Sequence, residues 1–437
     1  MTVFRWMPAM VAGLVATTLH SAAQATDARA IGIGNAAVSG SYGANAAFQN
    51  PASLLNQSRD GQKFNFAIGF GAEIRDDGDV VRELADNESL IDDLESEIDT
   101  VSQQTLTCTP LDAVDTTCLT NTLTLGNLAN QVLSLFNTAD SSPIEGSASG
   151  SIAMSFPQAV VPVAFGINVS VTGSGFSDIS DSDQDYVETI ANALSDNALT
   201  LGEIVDSAPL TFNVADNTVD IALPDDVLTS EASGGAVMRI QFAASAAFEL
   251  DYAGYAIDVG VTPKISQLTA GNLETAVRDI DSADELRDQI EDSEKSETTF
   301  TVDLGAMTEL PQFPGVELGG VIRNLIPESV ETNNGVKFET TPQLILGATY
   351  AKDWYTFSGD VALNSAELDG LETHAIGAGV ILGNKMFNAR AGLRHDFAID
   401  QDPTSFSVGV GLGFVELGAR FNGDSSGEFA AQVAFGL

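Results

Sequence analysis

Apolar and polar positions alternate along most of this chain. Fourteen stretches carry an apolar residue at every second position, as expected of strands with two unlike faces. They are 63–75, 146–156, 159–174, 236–251, 253–267, 297–310, 313–325, 341–351, 354–364, 373–383, 386–397, 404–413, 415–421 and 427–437. Many approach the roughly 9–11 residues that a tilted strand needs to cross hydrocarbon. In the last stretch Phe429, Ala431, Val433, Phe435 and Leu437 share one side, and Glu428, Ala430, Gln432 and Ala434 the other. Phe406, Val408, Val410 and Leu412 continue the apolar face, as do Val415, Leu417, Ala419 and Phe421.

The links between these stretches sort by length. Pro157-Gln158, Asp251-Tyr252-Ala253, Pro311-Gln312, Lys352-Asp353, Asn384-Lys385 and Gly413-Phe414 are tight, whereas 76–145, 175–235, 268–296, 326–340, 365–372, 398–403 and 422–426 are longer. Short turns at one end and long loops at the other are the asymmetry of an outer-membrane barrel. The expected fold class is therefore all-β: a transmembrane antiparallel β-barrel of about 14 strands, with both termini periplasmic. Its apolar parity would face lipid. The other parity holds Glu317, Arg323, Asp360, Arg390, Arg394, Glu416 and Arg420, charges that suit a wet or ion-paired lumen. Trp354, Phe387, Phe397, Phe406 and Phe421 fall near strand ends, where an aromatic girdle is expected. The competing architecture is a soluble β-protein whose apolar face packs inward.

The long links 76–145, 175–235 and 268–296 are acidic and read as extracellular insertions. Leu84, Ile91, Leu94, Ile98 and Val101 recur at helical steps, as do Leu125, Leu128, Val132 and Leu135, and a third stripe begins with Leu273, Val277 and Ile280. Such amphipathic helices would cap the barrel mouth or remain solvated decoration. The formal charge of −43 excludes nucleic acid as a partner. Residues 1–25, with Arg5, an apolar run from Met7 to Leu19 and Ala23-Gln24-Ala25, read as a cleavable signal peptide. Residues 26–62 then form an N-terminal segment and 63–437 the barrel. Cys108 and Cys118 are the only cysteines, which in an exported chain suits one disulfide closing a ten-residue step, two free thiols being the alternative.

Asn50-Pro51-Ala52, after the small-residue run from Ala28, resembles the N-terminal pattern of the FadL-type outer-membrane transporters of long-chain fatty acids. The segments "LGGVIRNLIPES" (318–329), "TPQLILGATYAKDWYTFSGDVALN" (341–364) and "NARAGLRHDF" (388–397) are similar to a TraF-like branch of that superfamily that carries a conjugal-transfer label. The resemblance implies a fourteen-stranded barrel with an N-terminal plug, or hatch, folded inside the lumen. It places Asn50, Pro51 and Ala52 at the plug corner, with Phe48 and Leu54 beside it. Barrels of this kind commonly finish on Phe, whereas this chain finishes Phe435-Gly436-Leu437.

Gly32-x-Gly34-x-x-Ala37 has the spelling of a dinucleotide fingerprint, but no strand precedes it. Small residues there suit threading through a barrel interior at close backbone distance, and Pro51 restricts Asn50 to extended geometry. The alternative is a frayed periplasmic tail. Asp181-x-Asp183-x-Asp185 opens like a calcium loop, yet Tyr186 and Asn192 occupy its Gly and Glu positions, leaving surface carboxylates. No G-x-S-x-G elbow accompanies His374 or His395, so no enzyme, cofactor or metal site is expected. The expected partners are outer-membrane lipid, lipopolysaccharide, hydrophobic small molecules such as fatty acids, and the barrel assembly machinery of a Gram-negative cell. Two functions stay open: uptake of hydrophobic molecules past the plug, or a non-transporting interaction barrel serving conjugal transfer or secretion.

Overall fold

The structure, a computed structural model, describes residues 27–40, 43–76, 130, 133, 144–195, 210–213, 218–221, 230–252, 254–276, 283–369, 371–384, 386–399, 403–422 and 426–436. Signal residues 1–25, both cysteines, Leu437 and the helical stripes from Leu84 to Leu135 lie outside them.

Fourteen antiparallel strands close into one barrel. The first seven are β1 (Asn65–Asp76), β2 (Ile144–Phe156), β3 (Val163–Asp178), β4 (Glu231–Tyr252), β5 (Tyr255–Ala276), β6 (Lys295–Glu309) and β7 (Val316–Arg323). The rest are β8 (Gln343–Lys352), β9 (Tyr355–Ala362), β10 (Ala375–Gly383), β11 (Phe387–Asp396), β12 (Thr404–Leu412), β13 (Val415–Asn422) and β14 (Ser426–Gly436). Consecutive strands pair, and β1 closes on β14 in the register Asn65↔Gly436.

Burial along the wall is the reverse of a soluble sandwich. In β12 exposed Phe406, Val408, Val410 and Leu412 alternate with buried Ser405, Ser407, Gly409 and Gly411. The apolar parity faces out and the small polar parity faces in. A band of exposed apolar side chains is stable only against lipid, so the soluble alternative fails. The aromatic residues expected at strand ends are all turned outward: Trp354, Phe387, Phe397, Phe406 and Phe421 are exposed.

The long loops differ from the sequence expectation. β4 and β5 run 22 residues each, so the wall continues through 231–235 and 268–276. Leu273 is consequently a strand residue opposite Gly234, not the start of a helical stripe. Its neighbours Leu268 and Ala270 are held by packing with Val237 and Val330, and that tertiary contact overrides the local helical spacing. The helix of this insertion begins later, at Ala283–Ser293. A second loop helix, Asp181–Ser195, contains the Asp181-x-Asp183-x-Asp185 run. Asp183 is not a surface carboxylate: it is buried and accepts a hydrogen bond from Ser230 N at 2.8 Å. Three loop hairpins are described: Leu210–Asn213 with Thr218–Ile221, and then a first and a second hairpin of the later loops, Glu328–Glu331 with Lys337–Thr340 and Ala366–Leu368 with Leu371–Thr373. Among the described residues no helix is long and apolar enough to cross a membrane.

Candidate functional site

The barrel interior is occupied by residues 27–40 and 43–60, which pack against its inward parity. Three short helices carry this segment: α1 (Ala28–Ile31), α2 (Ala46–Gln49) and α3 (Ser53–Arg59). Asp27 caps α1, accepting from Arg29 N at 3.0 Å and Ala30 N at 3.4 Å. Burial pushes the Asp27 carboxyl above its ordinary range, against the pull of Arg29. After α1 the chain reverses through Gly34 and Asn35 with φ of 67° and 63°, a left-handed turn that Gly and Asn tolerate. The glycine fingerprint is thus a turn inside the barrel, not a strand-to-helix phosphate loop.

Glycine makes the close approach possible. Gly305 and Gly260 lie directly against Asn50 and Pro51, Gly319 against Ser39, Gly379 and Gly392 against Ile33, and Gly166 against the Phe48 ring. A Cβ would collide with the segment at Gly166, Gly260, Gly305, Gly379 and Gly392, and would press on Ser39 at Gly319.

Asn50 is extended, with φ −151° and ψ 113°, as its following proline requires. It is fully buried, and its Nδ2 donates to Val38 O at 3.0 Å and to Ala306 O and Gly320 O at 3.4 Å. Its Oδ1 accepts from Ala52 N at 3.1 Å. One amide therefore ties two parts of the segment to β6 and β7. Leu54 is buried with Ala47, Ala164 and Ala247, and Phe48 packs beside Ala44, Ala67 and Ala153.

The inward charges expected from parity each meet this segment or one another. Asp360 Oδ2 accepts from Val38 N at 2.8 Å, and Glu317 Oε1 accepts from Asn56 Nδ2 at 3.1 Å. Arg323 Nη2 donates to Gln49 Oε1 at 2.6 Å. Arg390 pairs with Glu416. Arg420 bridges Glu73 at 2.6 Å and Glu428 at 3.1 Å, and Arg394 pairs with Asp396 at 2.8 Å. With its amide oriented to satisfy both neighbours, Asn35 accepts from Arg420 Nη1 at 3.1 Å and Arg394 Nη1 at 3.0 Å. At the short-turn end Arg59 Nη1 and Nη2 each donate to Asp258 at 2.6 Å, and Nη2 also to Glu249.

Above the segment lies a cavity of about 220 Å³. Arg323, Arg394, Arg420, Glu73, Asp360 and Asp396 give it polar walls, and Ile31, Ile74, Ile345, Leu368, Leu371 and Ile399 give it apolar ones. A second space of about 80 Å³ adjoins Phe48, Arg239, Lys264 and Asp369. The second hairpin roofs these spaces: Leu368 borders both, and Leu371 and Thr373 border the larger.

The roof is fastened at Arg239 of β4, a buried guanidinium. It pairs with Glu328 at the start of the first hairpin and with Asp369 in the second, and donates to Thr340 Oγ1 at 2.7 Å. Glu328 Oε1 also accepts from Thr299 Oγ1 at 2.6 Å. Burial alone would raise the Glu328 pKa, but Arg239 and the hydroxyl donors hold it below the ordinary carboxylate range. The stretch "VMRIQF" carries a sequence signal for Arg239, one charge on the inward parity of an apolar run. Its acidic partners sit in loops with no periodicity. Asn35 and Gln49 were equally silent.

No group of metal-ligating side chains occurs among the described residues. His395 shares a hydrogen bond of 2.8 Å with Thr404 Oγ1 and packs on Phe397, outside the lumenal network.

These features define a closed fourteen-stranded transmembrane β-barrel with a peptide segment inside its lumen. The sequence belongs to the family described as "F plasmid transfer operon, TraF, protein", which it matches over residues 47–361. Among solved structures it is similar to the Ralstonia pickettii toluene transporter TbuX, at 13% identity, 94% of this chain, 97% of that one and TM-score 0.43. The Pseudomonas putida toluene transporter TodX gives 11%, 95%, 98% and 0.44, and a Pseudomonas aeruginosa FadL homologue 10%, 95%, 98% and 0.35. No curated protein matches the sequence.

Proposed function

We propose that this chain is an outer-membrane barrel that admits small amphipathic molecules, apolar in body with a polar head, and that segment 27–60 is its gate. The observation that carries this reading is the cavity of about 220 Å³, roofed by the second hairpin and floored by that segment. Its mixed lining suits neither a bare hydrocarbon nor a simple ion. Arginine and carboxylate groups would orient a polar head, while Leu368, Leu371 and Ile399 would contact an apolar body. Entry requires the roof to part at Arg239, and exit requires residues 27–60 to leave the glycine contacts. Asn50, Pro51 and Ala52 act as the fixed corner about which that segment is held. Fatty acids are the ligand class in this reading. The test is uptake of labelled fatty acid into vesicles carrying the barrel: protein-dependent uptake supports the proposal.

A second reading is favoured by the family match, whose description names a plasmid transfer operon. It places the chain in the TraF-like branch of the FadL-type superfamily as an interaction barrel for conjugal transfer or secretion that transports nothing. Uptake no faster than in protein-free vesicles, together with reduced plasmid transfer from a deletion strain, would favour it.

A further inference from the structure

The two lumenal spaces adjoin one another but differ in chemistry. Gln49, Arg323 and Leu368 line both and so stand between them. Arg323 Nη2 donates to Gln49 Oε1 at 2.6 Å, which braces this divider. On the larger side lie the arginines and carboxylates already described. On the smaller side the charges are matched in place: Arg239 faces Glu328 and Asp369, and Lys264 pairs with Asp303 at 2.5 Å. A second charged group would find no spare counter-charge there.

What the smaller space does offer is neutral hydrogen bonding. Ser151 of β2, Asn168 of β3 and Gln241 of β4 stand opposite one another in register, and all three line it. Gln241 Nε2 donates to Ser266 Oγ at 3.0 Å. Ser151 Oγ and Asn168 Nδ2 are buried and have no hydrogen-bond partner among the described residues. Ser151 as a whole is only 5% exposed. Buried polar atoms are costly to leave unmet, so this pair calls for a bonding group. Side chains opposite each other on neighbouring strands have Cβ atoms about 4.5–5.5 Å apart. One hydroxyl between them accepts from Asn168 Nδ2 and donates to Ser151 Oγ. At about 80 Å³ the space holds roughly five to eight water-sized groups, too few for a long acyl chain and enough for a substituent on one.

We infer, resting on the amphipathic-ligand reading above, that the smaller space is a subsite for a hydroxyl carried close to the carboxylate of the ligand. Arg323 on the divider holds the carboxylate, and the hydroxyl enters between Ser151 and Asn168. The favoured ligand is then a 3-hydroxy fatty acid, not the unsubstituted acid. A hydroxyl at the far end of the chain stays beside the apolar walls of the larger cavity and gains nothing. Water meets the same two atoms when an unsubstituted acid is bound, which limits the preference to a moderate one.

Competition for radiolabelled decanoic acid on the purified, detergent-solubilised protein tests the subsite. 3-Hydroxydecanoic acid is expected to displace the label at about tenfold lower concentration than decanoic acid, as for one added bond to buried groups. 10-Hydroxydecanoic acid should show no such advantage. In Ser151→Ala/Asn168→Leu the advantage of the 3-hydroxy acid should disappear. Because the readout is a ratio, retained binding of the label shows that the variant is folded. Should the double variant bind no label, the ratio is read in Ser151→Ala alone. Equal displacement by decanoic and 3-hydroxydecanoic acid in the natural protein, or an advantage that survives the substitutions, means that water alone fills the space and overturns the subsite. If labelled decanoic acid does not bind the natural protein at all, the amphipathic-ligand reading itself is wrong and the subsite goes with it.

Discussion

The two ends of the lumen are closed by opposite means. Residues 27–40 and 43–60 are held by many dispersed contacts: glycines at van der Waals distance, the Asn50 amide, and single bonds to wall charges such as Val38 N on Asp360. The hairpin roof converges on one guanidinium, Arg239, facing two buried carboxylates. A distributed grip loses a fraction of its strength with each contact removed. A concentrated ionic latch fails when one member goes, because the remaining charges are buried without a counter-charge. The comparison teaches that the hairpin roof and the inner segment can be disturbed separately.

The largest effect is expected from Arg239→Ala. Glu328 and Asp369 would remain buried without their cation, a local cost of about 3–5 kcal/mol. Hydrogen exchange should show deprotection of 328–340 and 366–373 while β8 to β14 stay protected. Unchanged exchange in the hairpins would show that the latch does not hold the roof. Acid should loosen the same latch by part of that amount. Glu328 has a folded pKa below its unfolded one, so its contribution is complete above the ordinary carboxylate range and is lost as pH falls through the folded value. Intrinsic-rate-corrected exchange of 328–340 across an acid series checks the sign; tighter protection in acid would contradict it.

Next comes Gly305→Val, which overlaps Asn50 and Pro51 and should cost about 1–3 kcal/mol by overpacking. The segment should be displaced from the barrel, read as faster modification of a cysteine placed at Ala52 and as a rise in single-channel conductance. Asn50→Ala removes the bonds to Val38, Ala306 and Gly320 and leaves buried carbonyls unmet, at about 1–3 kcal/mol. The same cysteine should react faster, though less so than with Gly305→Val. Glu249→Gln should do least, about 0.2–1 kcal/mol, since Arg59 and Glu249 are each 47% exposed and water screens that pair, while the buried Asp258 keeps its cation. A larger effect than that of Asn50→Ala would reverse the contrast between the two modes of closure.

Much of this molecule was legible before any coordinates. Period-two patterning located every barrel strand, because a wall between lipid and a wet lumen enforces alternation over its whole length. The same parity brought Glu317, Arg323, Asp360, Arg390, Arg394, Glu416 and Arg420 inward. Other features were hidden for physical reasons. The span 268–276 read as part of an acidic loop because its strand is stabilised by a packed hairpin, Val330 on Leu268 and Ala270, and not by its own pattern. Gly260, Gly305 and Gly319 read as unremarkable strand glycines, since their role depends on a segment more than two hundred residues away.

By itself the sequence determined the wall: strand number, the sorting of turns from loops, and which parity faces lipid. Those are local consequences of solvent on each face of each strand. Only the tertiary structure decided that Asn50 bonds to β6 and β7, that Asn35 sits between Arg394 and Arg420, and that Arg239 ties two distant hairpins together. These are pairings between residues far apart in the chain, and a buried polar group takes whichever partner closure of the barrel brings within reach.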